Sequence, residues 1–261
     1  MFKPSLKVIP LVLSTLLLVA CQKETPPQPD ELTMLKQELG QLKQDIRMMA
    51  SKVNDIHRVA MASTTPQYKT LPTQDNIDDN GQLPTLGDDD AKMAIIEFSD
   101  YQCPYCKRYI DQTFPLLKTQ YIDTGKLKYI ARDFPLNFHP KAKGAAMTAN
   151  CSLQQNAYWP MRDLLFNNIR SLGDKLYQDS ASELSLDIKQ FTECLSAPGT
   201  LTKIEQDVAY GSSLGIRGTP SFLVGNIENN RIINPKLIVG AQNYQTFNTI
   251  IEALQSPSSD Q

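Results

Sequence analysis

The sequence predicts an α/β fold in which a βαβ half and a ββα half are separated by a long helical insertion, with a coiled-coil helix ahead of them. Three observations carry this. An apolar strand of the fully buried kind, Met93–Ser99, runs into Cys103-Pro104-Tyr105-Cys106 and then into a helical stretch reaching about Gln120. A mostly helical region extends from Lys141 to about Ser213 before apolar strands resume. Between Leu32 and Ile56, apolar residues recur in alternating steps of three and four without a break.

The chain has 261 residues, 41% of them hydrophobic, with 26 basic and 28 acidic side chains. This balance gives no basic face for nucleic acid. Residues 1–20 start with Lys3 and Lys7 and continue as an apolar run from Val8 to Ala20, interrupted by Pro10, Ser14 and Thr15. The run is short of the ~20 apolar residues that a membrane-spanning helix needs, and fits a signal peptide. It ends Leu18-Val19-Ala20-Cys21, which resembles the bacterial lipobox, and a polar tether (21–30) follows. The expectation is a lipid on Cys21 and anchoring in the bacterial cell envelope; a cleaved signal with a chance cysteine is the alternative. Gln22 after the cysteine favours the outer membrane, facing the periplasm, by the enteric sorting rule. Such a compartment lets disulfides persist.

Residues 31–60 form the heptad segment. With Leu32 at a, positions a and d hold Leu32, Leu35, Leu39, Leu42, Ile46, Met49, Val53 and Ile56. Glu31 and Glu38 fall at g, Lys36 and Lys43 at e, an attractive pairing for a parallel homo-oligomer. A single amphipathic helix packed on the catalytic domain is the competing reading, but a two-per-seven stripe is narrow for that. Dimer and trimer both stay open. Residues 61–85 are polar with three prolines and read as a linker or loosely docked arm. The main domain is expected over 86–255, with its insertion at about 140–213, and 256–261 as a disordered tail.

Within 86–255 the elements follow in order. After the first strand, Asp100-Tyr101-Gln102 turns the chain. Pro104 suits a first helical turn, where its missing N–H has no intrahelical partner to lose, and Pro115 should kink the helix. Leu127 to Arg132 reads as the next strand. Insertion helices are expected near 141–155, 157–170, 187–196 and 201–213, strands at 221–224 and 236–239, and an amphipathic helix over 244–254. A C-x-x-C pair at a helix N-terminus is a mechanism in itself: the free N–H groups and dipole favour a thiolate at Cys103, and Cys106 lies one turn deeper, within reach to resolve a mixed disulfide. A zinc half-site is the alternative, but zinc wants two more ligands, and the chain has only His57 and His139 and no second C-x-x-C. No metal or cofactor is expected.

The residues Asp90-Ala91-Lys92 and Ile95 to Cys106 resemble the opening of DsbA-family thiol–disulfide oxidoreductases. Arg132-Asp133-Phe134-Pro135-Leu136 with His139-Pro140, and Arg217-Gly218-Thr219-Pro220-Ser221-Phe222, are similar to later segments of that family. The resemblance implies a thioredoxin-like domain with an inserted helical domain. It implies Cys103 and Cys106 as the catalytic dithiol, a cis Pro220, and Thr219 pairing with an extended client. Tyr105 departs from the His of the strongly oxidising members, and Thr219 is more typical of isomerases and Gram-positive-type oxidases. Glu97, in the strand before the dithiol, is placed to relay the Cys106 proton or to serve as a structural acid paired with a nearby Lys. Trp159 and His139 read as packing or loop-capping residues. Cys151 and Cys194 remain; export and the resemblance favour a structural disulfide, two separate buried thiols being the alternative.

The function expected is formation or isomerisation of disulfides in exported cysteine-bearing clients, with a membrane oxidase or reductase as recycling partner. The competing readings are a simple oxidase whose coiled coil is a spacer, and a non-catalytic surface or chaperone-like scaffold.

Overall fold

The structure, a computed structural model, describes residues 31–64, 67–78 and 81–255. Residues 1–30 and 256–261, where the signal peptide, the Cys21 lipid, the tether and the tail are expected, lie outside the described residues. The chain divides after Val59 into two compact units.

In the first unit a single helix, α1 (Glu31–Thr64), runs through the heptad segment. Leu35, Leu39, Leu42, Ile46, Met49 and Val53 are each more than half exposed, so the a/d seam from Leu35 to Val53 is a solvent-facing apolar stripe. No helix among the described residues is long and apolar enough to cross a membrane.

The second unit is built on a six-stranded mixed sheet: β1 (Lys69–Thr70), β2 (Thr85–Leu86), β3 (Met93–Ser99), β4 (Lys128–Asp133), β5 (Ser221–Glu228) and β6 (Arg231–Val239), in the order β1-β6-β5-β3-β4-β2. β3 lies at the centre, parallel to β4 and antiparallel to β5, and every one of its residues is buried. Such a strand needs apolar side chains on both faces, which is why it reads as a continuous run. The chain leaves β3 into α2 (Pro104–Gln112), then α3 (Phe114–Leu117) and a π turn at Lys118–Ile122. Pro115 does more than kink the expected helix: it sits in the first turn of α3, and the break falls at Thr113.

The insertion comprises α4 (Ala142–Leu153), α5 (Tyr158–Asn167), α6 (Asp174–Glu183), α7 (Ile188–Ser196) and α8 (Pro198–Ser213). Cys151 on α4 and Cys194 on α7 are joined by a disulfide. The chain closes with β5, β6 and α9 (Tyr244–Gln255). The β5–β6 hairpin is longer than expected. Asn229 and Asn230 hold positive φ at its turn, where the strand twist favours two left-handed residues.

Side chains of β3 alternate between two cores. Met93 and Ile95 join a core with α2, α4, α5 and α9, while Ala94, Ile96 and Phe98 pack on the opposite face with Ile130, Leu223 and Ile232. The second core takes in part of 61–85, which favours the docked-arm over the linker reading of that segment and carries the domain ahead of residue 86. Leu71, Ile77 and Leu83 are buried in it, β1 pairs with β6, and β2 pairs with β4. Burying three such side chains contributes about 1.5–3 kcal/mol each. A buried ion pair fastens the same region: Arg132 Nη1 lies 2.6 Å from Asp207 Oδ1 on α8, and Arg132 Nη2 donates to the Ile77 carbonyl at 3.2 Å. Gly211 lets α8 approach the sheet, since a Cβ there would fall 2.9 Å from ring carbons of Phe134.

Candidate active site

The register places the site. β5 begins at Ser221 opposite Phe98, so Thr219 and Pro220 lie level with the turn that carries β3 into α2. The Thr219–Pro220 bond is cis. The turn is held by Asp100, whose carboxylate accepts from the Gln102 N–H at 2.7 Å and the Leu136 N–H at 2.8 Å and contacts His139 Nδ1 at 2.8 Å. His139 thus caps the loop after β4, as a packing or loop residue would.

Cys103 is the N-cap of α2, extended at φ −78° and ψ 120°, and Pro104 opens the helix. The Cys103 carbonyl accepts the Lys107 N–H at 3.1 Å, and its thiol donates to the Thr219 carbonyl at 3.4 Å. Cys103 and Cys106 are both buried free thiols. Their proton affinities are driven apart. The Cys103 pKa is lowered to about 6, first by the hydrogen bond with the Cys106 thiol, against the opposing effect of burial, and further by Thr219 and the backbone N–H groups of Cys106 and Tyr105. Burial pushes the Cys106 thiol well up, and the neighbouring Cys103 and Glu97 add to it. At pH 7 about nine-tenths of Cys103 is then thiolate while Cys106 keeps its proton. Tyr105 is exposed, with the Arg108 guanidinium 5.1 Å from its ring centroid.

Glu97 is fully buried beneath the dithiol. Its partner is an arginine and no lysine: Arg162 Nη2 of α5 lies 2.5 Å from Glu97 Oε2, which also accepts from the Tyr129 hydroxyl at 2.7 Å. The Tyr109 hydroxyl, on α2, lies 3.2 Å from that of Tyr129. Trp159 packs at the edge of this network, its ring 6.2 Å from Tyr129. Cys103, Cys106, Glu97, Thr219 and Pro220 therefore converge on one end of the sheet, while the Cys151–Cys194 bridge lies in the insertion. Asp100, Tyr129 and Arg162 are site residues the sequence reading passed over. The one available signal was Arg162 itself, a lone cation between Met161 and the apolar Leu164-Leu165-Phe166.

Comparisons with known proteins agree with this architecture. The thioredoxin family profile matches residues 79–253. Na(+)/H(+) antiporter NhaA 3 of Salinispora tropica is 32% identical over 139 residues, 53% of this chain and 21% of the antiporter. The chain thus spans about a fifth of the length of the curated antiporters it matches. The probable disulfide bond formation protein D of Bacillus anthracis is 29% identical over 154 residues, 56% of this chain and 71% of that protein. Among solved structures, a cysteine variant of alpha-DsbA1 from Wolbachia pipientis is 30% identical with a TM-score of 0.57, covering 66% of this chain and 92% of that one. With a buried dithiol at the start of α2, a cis-proline loop opposite it and helices inserted between the two halves of the sheet, this chain belongs to the thioredoxin family, in its DsbA-like branch.

Proposed function

We propose that the chain is a thiol–disulfide oxidoreductase that forms and rearranges disulfides in exported proteins, anchored to the bacterial envelope by lipid on Cys21 and self-associating through residues 31–60. The observation that carries the reading is the split between Cys103 and Cys106: one sulfur is a good leaving group and the other a protonated reserve. In oxidation, a client thiolate attacks Cys103 of the enzyme disulfide, the Cys103–Cys106 bond breaks, and Cys106 leaves and takes up a proton. A second client thiolate then attacks the client sulfur of the mixed disulfide, and Cys103 departs as a stabilised thiolate. The client loses two electrons and the enzyme dithiol gains them. In reduction the same steps run backwards, with Cys106 attacking Cys103. Glu97 serves as the acceptor and donor of the Cys106 proton. Thr219 and Pro220 hold the client strand by backbone pairing. A membrane oxidase or reductase restores the dithiol.

Isomerisation needs more than one dithiol around a client. The exposed a/d seam of α1, with Lys36 and Lys43 at e and Glu38 at g also facing solvent, supports assembly with further copies of this chain. Gln22 after Cys21 supports the outer membrane as the site of anchoring. Tyr105 in place of the oxidising histidine supports rearrangement over one-way oxidation.

The test is reactivation of scrambled ribonuclease by residues 22–261 beside residues 67–261, the shorter form keeping the arm that completes the second core. Activity in the long form alone is the expected result. If neither reactivates the scrambled enzyme and both oxidise reduced ribonuclease, the chain is an oxidase and α1 a spacer. Loss of both reactions with intact thiols would leave the scaffold reading.

A further inference from the structure

We propose that Arg162, carried by the helical insertion, is a positioning residue for the resolving cysteine: it holds Glu97 as the carboxylate that accepts the Cys106 proton. The inference rests on the reading of Glu97 as a relay. Arg162 is 1% exposed and ranks among the largest fully buried side chains of the molecule. Taking a guanidinium out of water costs several kcal/mol unless it is paired. Here it is enclosed by aromatic rings, with Phe114 at 4.7 Å, Trp159 at 5.2 Å, Phe166 at 5.6 Å and Tyr129 at 5.9 Å from its central carbon. Burial works against its charge, and the Glu97 carboxylate together with the buried hydroxyls of Tyr129, Tyr158 and Tyr101 more than offsets this and keeps it protonated beyond the usual range.

The geometry of the pair is what separates a positioning role from a plain cross-link. An arginine that only ties two elements together commonly engages both carboxylate oxygens through its fork. In this pair both donors, Arg162 Nη2 and the Tyr129 hydroxyl, converge on Oε2. Oε1 is buried and has no hydrogen-bond partner among the described residues, and neither has Arg162 Nη1. One oxygen is anchored and the other is left open, in a group whose charge acts on the Cys106 thiol. When Cys106 attacks Cys103 in a mixed disulfide, its S–H proton is given up to the Glu97 carboxylate and the Cys106–Cys103 bond forms. The Cys103–client bond breaks, and the client leaves as a thiolate. The enzyme dithiol is oxidised and the client disulfide reduced. Without the cation, a buried unpaired carboxylate favours its neutral form and is no longer a base.

The other groups facing the pair are few. Tyr109 of α2 and Tyr129 of β4 are raised well above the ordinary phenol range by burial, as are Tyr101 of the turn and Tyr158 of α5, so all four stay neutral. Asp163 of α5 is raised by burial, with Arg162 opposing. Asp133, at the end of β4, is pushed up to about 8 by burial and by Asp207, and is a second group that titrates near neutrality. Cys103 is held in the mixed disulfide during this step and carries no charge.

The experiment is quenched-flow measurement, across pH, of the step in which Cys106 expels glutathione from a Cys103–glutathione mixed disulfide. It compares residues 22–261 with R162M, R162K, E97Q and R162M/E97Q. R162M should slow the step about tenfold at pH 7 and move its inflection about one unit higher. R162K should restore most of the rate. The double variant should match E97Q, since Arg162 acts through Glu97; Asp133 is common to all five proteins and cancels in the comparison. If R162M has the wild-type profile, or adds its full effect to E97Q, Arg162 does not position the relay. If E97Q itself leaves the profile unchanged, the relay reading fails first. Should R162M not fold, R162Q keeps a donor without the charge and gives the same outcomes.

Discussion

Replacing Cys106 with Ala tests the electrostatics of the site directly. The Cys106 thiol is the largest contributor to the lowered Cys103 pKa of about 6, ahead of Thr219 and the helix N–H groups. A hydrogen bond to a charged group contributes about 1.5–3 kcal/mol, and 1.36 kcal/mol corresponds to one pH unit. Losing it should raise the Cys103 midpoint by about one to two units, to about 7–8. At pH 6 the thiolate fraction then falls from about one half to about 10% or 1%, and alkylation by iodoacetamide slows about 5- to 50-fold. The assay follows alkylation rate and thiolate ultraviolet absorbance from pH 4 to 10 in C106A and in wild type. Backbone N–H groups at residues 105 and 106 survive the substitution. A midpoint that stays at the wild-type value would therefore mean that the helix terminus alone sets it, and the side-chain argument would be refuted.

Three further outcomes follow from the same structure. The depressed Cys103 pKa stabilises the reduced fold fully above the unfolded thiol value near 9, and that contribution is lost as pH falls through about 6. Urea titrations should thus show the reduced form losing about 1 kcal/mol per pH unit relative to the oxidised form between pH 8.5 and 6.5, and a flat difference would contradict the assignment. Cys106, being raised, contributes its loss above that window. Ile77→Ala should cost about 2–5 kcal/mol, seen as a lower urea midpoint, because Ile77 is 1% exposed in the second core; a change under 0.5 kcal/mol would restore the linker reading of the arm. Replacing both Cys151 and Cys194 by Ala, which opens a loop of sequence separation 43, should cost about 4 kcal/mol while leaving the Cys103 midpoint unchanged.

The parts of the fold written in strong local signals were legible. β3 is a seven-residue strand apolar at five positions, α1 a heptad series, and α2 begins at a proline following a cysteine, so each appears where the pattern put it. The cis Thr219–Pro220 bond and the Cys151–Cys194 bridge came through resemblance to a family and through export, and no local periodicity carried them. α6 was missed because it buries fully only Tyr177, Ser180 and Ala181, two of them small, with Leu176 partly buried beside them, so it has no clear apolar stripe to read. Whether the arm docks was not legible because Leu71, Ile77 and Leu83 are single anchors six residues apart among polar neighbours and prolines; their burial depends on a sheet face formed by distant strands. Arg162 was out of reach for the same reason: its partner stands 65 residues earlier, and nothing in a sequence says which helix of an insertion will face β3.

That long-range pairing separates the two halves of the dithiol chemistry. Cys103 answers first to the Cys106 thiol, and then to the loop at Thr219 and the start of α2, both belonging to the two sheet-forming halves. Cys106 answers to burial, then to Cys103 and to Glu97, and Glu97 is held from the insertion by Arg162. Changes at Tyr105 or Thr219 therefore act first on how readily Cys103 leaves or is attacked. Changes in the packing of α5 act on how readily Cys106 gives up its proton. Phe114, Trp159 and Phe166 enclose the guanidinium, so a substitution at any of them can reset the resolving step without touching either sulfur. On the proposed function, the insertion is part of the redox site, and a comparison confined to the C-x-x-C motif and the cis-proline loop would overlook the part of the site that acts on Cys106.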